Sequence, residues 1–143
     1  MALHYANAVW QGDFKGGRGT VRLGKDGHTE SYSAVRRFEN SGGGTSPEEL
    51  IGAAHAGCFS MALSADLTQA GYPPDRIETD AKVEIRRGDA GLEISSIELT
   101  TRAVVPGIDE AEFMKFAEGT KRGCPVSKAL TGVDIRLTAS LSR

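Results

Sequence analysis

Hydrophobic and polar residues alternate towards both ends of the chain and give way, between them, to one long apolar run. From Tyr5 to Trp10, Thr20 to Leu23 and Glu30 to Phe38, alternating segments are cut by turn residues at Gly12, at Gly16 with Gly17, and at Lys25-Asp26-Gly27. The pattern predicts a three-stranded antiparallel meander. Asn40-Ser41-Gly42-Gly43-Gly44 follows as a flexible connector. It holds neither a G-x-G-x-x-G nor a Walker spacing, so backbone freedom rather than phosphate binding accounts for its glycines. The clearest helix start comes next, with Ser46 as N-cap, Pro47 at the first helical position and Glu49 where a capping box wants a carboxylate. The helix runs through the apolar and small residues Leu50 to Leu63 and stops before Gly71. With apolar residues on nearly every face, it reads as a central helix enclosed by other elements.

Alternation returns between Ile77 and Val105 as a long hairpin turning at Gly88-Asp89-Ala90-Gly91. In its second arm Leu92 and Ile94 share one parity and Ile97, Leu99, Thr101, Ala103 and Val105 the other, which predicts a bulge or a change of covering face. Asp109 with Glu112 starts a second helix, striped by Phe113, Phe116 and Ala117 and ending by Gly123. Cys124 and Pro125 take the N-cap and first position of a short third helix, and Ile135, Leu137, Ala139 and Leu141 alternate as a closing strand. The fold class is α+β. A helix apolar all round needs more cover than one sheet in so short a chain supplies, so a second copy is expected to provide it, as an intimate homodimer.

Composition narrows the classes. At 143 residues the chain is expected to form a single domain over residues 1–143. A 39% hydrophobic and 25% charged content excludes a disordered polymer, and a net charge of -2 gives no general pull towards nucleic acid or anionic lipid. A membrane span needs ~20 predominantly apolar residues, and Glu49, His55 and Asp66 interrupt the apolar run too closely for that reading. The opening residues show no basic region followed by an apolar one, which predicts no secretory signal and a cytoplasmic location. In that reducing compartment, Cys58 and Cys124 are too few for a disulfide scaffold and read as inert, metal-bound or redox-active.

Cys124 sits where unpaired backbone N–H groups favour a thiolate over a thiol, although a thiol that merely terminates a helix fits the same residues. Cys58 lies about three turns into its helix, beyond the reach of the helix dipole, and on composition alone reads as a buried inert thiol. Activation there needs a cation held by a carboxylate of its own, which Arg37 with Glu48 could supply through a tertiary contact. Arg36 and Arg37 are adjacent on a predicted strand, so at most one faces the helix. His55 and Cys58 share a helical face and, with Cys124, would offer three soft metal ligands. An unpaired His-x-x-Cys arises often by chance, and a packed, hydrogen-bonded histidine is favoured over a metal site.

Arg37-Phe38, the run TSPEELIGAAHAGCFSMAL from Thr45 to Leu63, Val105-Pro106-Gly107-Ile108-Asp109 and Gly123-Cys124-Pro125-Val126-Ser127 together resemble the OsmC/Ohr family. The separation of the two cysteines fits that family's two-cysteine thiol peroxidases. His55 and the Cys-Pro-Val form look more like the OsmC branch than the Ohr branch, where an aromatic residue is usual at each place. The resemblance implies an OsmC-like fold, with antiparallel sheets around long buried central helices in an intertwined homodimer. It implies reduction of organic hydroperoxides in stress defence, with Cys58 as peroxidatic and Cys124 as resolving cysteine. Arg37 is then the activating guanidinium and Glu48, rather than the adjacent Glu49, the carboxylate that orients it. No metal or bound cofactor is implied; an external dithiol, such as the dihydrolipoyl group of a lipoylated protein, resets the disulfide. Phe59, Met61 and Phe116 could line an apolar pocket for alkyl tails, and core packing suits them equally. The competing reading keeps the fold but uses an interface cavity to bind an apolar ligand or a metal, with inert thiols.

Overall fold

The computed structural model describes residues 1–142. It divides into two compact units, Met1–Leu50 and the remainder from Ile51 onward.

The first unit opens with β1 (Ala6–Gln11), β2 (Arg18–Leu23) and β3 (Thr29–Tyr32). They pair antiparallel in the order β1-β2-β3, the expected meander. Trp10 and Tyr32 flank Gly19 in register, their ring centroids 5.5 Å apart. A Cβ on Gly19 would run into both rings, so the glycine is what lets the two aromatics close over β2. The predicted third strand is cut short. After Tyr32 the chain turns into α1 (Ala34–Glu39), capped by Ser33, whose hydroxyl accepts the Arg36 N–H at 3.2 Å. Arg36 and Arg37 therefore stand on a helix, not on a strand. A serine N-cap outweighs the alternation that Val35 and Phe38 suggest, because it satisfies an orphan donor of the first turn.

Asn40, at φ 54, ends α1 in the left-handed region, and the connector then folds back. Thr45 donates its N–H to Ser31 O at 2.7 Å and bridges Tyr32 in parallel. Gly44, at φ 85, lies so close to Ser31 that a Cβ would collide with its carbonyl oxygen. The connector thus sets where α2 (Pro47–Gln69) begins. Ser46 Oγ accepts the Glu49 N–H at 3.1 Å, the cap that the sequence predicts.

From Ile51 on, α2 runs into the second unit, with β4 (Arg76–Gly88), β5 (Gly91–Val104), α3 (Glu110–Gly123), α4 (Pro125–Ala129) and β6 (Asp134–Leu141). β4 and β5 form the predicted hairpin. Its register shifts between Glu84, opposite Ser96, and Ile85, opposite Ile94, leaving Ser95 as the bulged residue. That extra residue lets Ile94 face Ile85 and then puts Ile97, Leu99, Thr101 and Ala103 on the buried face. β6 lies against the other edge of β5 and runs parallel to it, so this sheet is mixed rather than antiparallel. The reason is the connection: α3 and α4 form a crossover between β5 and β6, long enough to return the chain to the end from which β5 started.

The core of this unit joins Phe59, Leu63 and Leu67 of α2 to Ile97, Leu99 and Ala103 of β5 and Phe113 of α3. Phe59, fully buried there, contributes about 3–5 kcal/mol by the usual cost of Phe→Ala in a core. It is therefore a core residue. Phe116 packs against the same cluster, whereas Met61 is 77% exposed. Gly52 lets α2 approach the sheet closely, since a Cβ there would stand 3.2 Å from Val83 Cγ2. The expectation of a helix enclosed on all sides is met on one side only. Gly52, His55, Phe59, Leu63 and Leu67 are buried, while Ala53, Ala54, Gly57, Met61 and Ala65 are exposed. Among the described residues, α2 is the one helix with the length and apolar character of a membrane span, yet its buried stripe packs into the core of its own unit.

Candidate active site

In the first unit, α1 and the start of α2 each present two neighbouring charged residues, and these pair in order. Arg36 grips Glu49 through two bonds of 2.8 Å, Nε to Oε1 and Nη2 to Oε2, with Glu49 exposed. This fork holds the Glu49 carboxyl below its usual pKa and raises the Arg36 guanidinium. The capping-box carboxylate is therefore engaged by an arginine, although its N–H still takes the Ser46 cap. Arg37 directs Nε and Nη2 at a single oxygen, Glu48 Oε1, each at 2.9 Å. Glu48 is only 6% exposed, and its Oε2 is buried with no partner among the described residues. A buried carboxylate with one oxygen free holds an arginine in place strongly, because leaving either charge unpaired there costs several kcal/mol.

In the second unit, α2 supplies His55 and Cys58 one turn apart, and the α3–α4 junction supplies Cys124. Cys124 closes α3, donating its N–H to Thr120 O at 3.0 Å, and caps α4, its Sγ accepting the Ser127 N–H at 3.4 Å. Pro125 at the first position of α4 has no N–H to leave unsatisfied there. Both thiols are free, Cys124 buried and Cys58 half-buried. They are near enough for Cys124 to influence the ionisation of Cys58. Burial pushes the Cys58 thiol up, a backbone hydrogen bond from Val126 pulls it down, and the Cys124 side chain raises it again. Left to these neighbours, Cys58 keeps its proton at neutral pH.

Two polar side chains join the cysteines. Ser127 Oγ lies 3.1 Å from Cys124 Sγ and 2.7 Å from His55 Nε2. His55 is completely buried, with Nδ1 unpartnered among the described residues, and burial lowers its pKa. Its imidazole is thus neutral and spoken for by a serine, as a packed, hydrogen-bonded histidine should be. Sequence reasoning named Ser127 only within a motif. The available signal was its place three residues after the Cys124 cap, where an N-cap side chain meets the backbone. The four predicted residues thus come together as two pairs, Arg37 with Glu48 and Cys58 with Cys124, each within its own unit.

Residues 40–138 match the family described as OsmC-like protein. The chain belongs to the OsmC family. It is 47% identical over 133 residues to the peroxiredoxin OsmC of Escherichia coli, covering 91% of this chain and 92% of that protein. It is 34% identical over 109 residues to an organic hydroperoxide resistance protein of Xanthomonas axonopodis, covering 74% of this chain and 75% of the relative. Its fold is similar to the crystal structure of the organic hydroperoxide resistance protein OhrB of Bacillus subtilis, with a TM-score of 0.76, 24% identity and coverage of 97% and 100%. The α+β architecture with two small sheets is thus the OsmC fold.

Proposed function

We propose that this OsmC-family chain is a thiol peroxidase that reduces organic hydroperoxides to alcohols in stress defence, working as one OsmC-like domain. Its relatives bear the names peroxiredoxin OsmC and organic hydroperoxide resistance protein. The observation that carries the reading is that two free thiols from distant parts of the chain lie near enough for the Cys124 side chain to raise the Cys58 thiol. Two thiols so placed can cycle between dithiol and disulfide without a metal or a bound cofactor.

In the proposed cycle Arg37, oriented by Glu48, stabilises the Cys58 thiolate that burial disfavours. The thiolate attacks the distal oxygen of ROOH, the O–O bond breaks, and the alkoxide takes a proton and leaves as ROH. Cys58 is left as a sulfenic acid. Cys124 attacks that sulfur, water leaves, and a Cys58–Cys124 disulfide forms. An external dithiol, for which the dihydrolipoyl group of a lipoylated protein is our choice, restores both thiols by exchange. The exposed small-residue face of α2 supports a homodimer, because a second copy can cover it closely. We place the enzyme in the cytoplasm, where thiols are returned to the reduced state.

Anaerobic titration of the reduced protein with cumene hydroperoxide, with free thiols counted and intact mass recorded under denaturing conditions, tests the cycle. Loss of both thiols with a two-proton decrease in mass is expected, and Cys58→Ser should abolish peroxide consumption. Two persistent thiols would overturn the peroxidase reading and leave a non-catalytic site for an apolar ligand or metal.

A further inference from the structure

Closing the disulfide requires Cys124 to give up a proton, since the thiolate is the attacking form. Cys124 is 1% exposed, so bulk water is not at hand to take it. Against its Sγ stands Ser127, whose Oγ is 3.1 Å away and whose N–H reaches it at 3.4 Å, while the nearby Cys58 thiol is the target of the attack. Ser127 is itself buried, and a hydroxyl accepts a proton only as it hands its own onward. The onward neighbour is His55 Nε2, at 2.7 Å and fully buried. Cys124, Ser127 and His55 therefore form a continuous S···O···N chain spanning α4 and α2, sealed from solvent.

Building on the peroxidase reading, we propose that Ser127 and His55 are a proton relay for Cys124 in the step that closes the disulfide. Ser127 touches the reacting sulfur and acts as the catalytic member, and His55 is its positioning residue. The Cys124 S–H proton passes to Ser127 Oγ as the Ser127 proton passes to His55 Nε2. The Cys124 thiolate attacks Cys58 Sγ, an S–S bond forms, and the S–O bond of the sulfenic acid breaks. Hydroxide leaves and recovers the proton as water, so that sulfenic acid and thiol become disulfide and water. The Cys58 sulfur is reduced and the Cys124 sulfur oxidised, with no other electron donor. Neutral His55, in the tautomer with its proton on Nδ1, carries at Nε2 the lone pair this transfer needs. No partner among the described residues meets its Nδ1, so nothing stabilises an imidazolium, and the proton is held only for the transfer.

Rapid-quench experiments on the reduced native protein, Ser127→Ala, Ser127→Thr and His55→Gln, each given one equivalent of cumene hydroperoxide, separate the two steps. Trapping with dimedone reports Cys58 sulfenic acid, and intact mass reports the disulfide. Ser127→Ala should slow disulfide closure about a hundredfold, within the usual range for general acid–base catalysis, while sulfenic acid forms at the native rate. His55→Gln should slow the same step alone, and Ser127→Thr, which keeps the hydroxyl, should restore it. Native closure rates in Ser127→Ala, or equal slowing in Ser127→Thr and Ser127→Ala, would overturn the relay. Should His55→Gln fail to fold, the two Ser127 variants decide. A native protein that forms no sulfenic acid fails at the earlier step, which overturns the peroxidase reading itself.

Discussion

Arg36 and Arg37 differ by one position, and their carboxylate partners, Glu49 and Glu48, differ by one as well. The outer pair holds an exposed carboxylate and the inner pair a buried one, so the two should weigh differently on chemistry. In the proposed cycle the Arg37 charge offsets the burial that raises the Cys58 thiol. Arg37→Ala should therefore slow sulfenic acid formation at neutral pH by about ten- to a thousandfold, the equivalent of one to three pKa units. Because the lost quantity is thiolate, that rate should climb as pH rises through the thiol range. Arg36→Ala should leave it near native. Stopped-flow oxidation of the two variants across pH makes the comparison, and equal rates for both would remove Arg37 from the mechanism. His55 carries a second prediction. Its pKa is lowered from 6.5 by burial, so the unfolded chain binds the proton more readily than the folded one. The stability due to neutral His55 is complete above the unfolded value and is lost as pH falls through the folded one. Denaturant melts from about pH 7.5 to about pH 4.5 should show an acid loss in the native protein that is missing in His55→Gln. Cys58, Cys124, Glu48 and His55 were all legible as candidates from residue type and spacing. The Ser127 link was not, because its partner lies 72 residues away.

At the scale of elements, caps carried the information. Ser46, Asp109 and Cys124 stand at the helix starts the sequence predicts, and each side chain accepts the N–H three residues on. These are bonds within one turn, so the local sequence decides them. Ser46→Ala should cost about 1 kcal/mol of unfolding free energy, read as a lower denaturant midpoint with unchanged slope. A native-like midpoint would show that the start of α2 is held by the connector alone. The bulge of β5 was legible for a related reason, since a change in alternation has few outlets other than an extra residue in the ladder. The segment Ser33 to Glu39 misled, because Val35 and Phe38 fit neither period well over so short a run, and a strand reading passed over the Ser33 cap. The direction of β6 was also hidden. Its alternation is the same for either sense of pairing, and only the path of α3 and α4 across the unit chooses between them.

For the whole molecule, the open question of cover falls on α2. Its face of Ala53, Gly57, Met61 and Ala65 is exposed in the single chain, and small residues there allow close approach of another helix. Met61→Asp changes a side chain that is 77% exposed, so the fold of one chain should tolerate it, whereas the proposed dimer should not, since an unpaired charge at a closed interface is costly. Sedimentation of the native protein as a dimer and of Met61→Asp as a monomer is the expected outcome; an unchanged dimer would place the interface elsewhere. The sequence by itself determined the order and kind of nearly all elements, the caps and turns, the bulge and the pairs of residues worth watching, because these follow from contacts within a few residues or from period. Tertiary structure alone decided that Arg36 takes Glu49 beside the Arg37–Glu48 pair that the family resemblance implies, that His55 reaches Ser127 and that β6 runs parallel to β5. Those outcomes depend on which distant surfaces meet, and no periodicity along the chain encodes the direction from which a partner arrives.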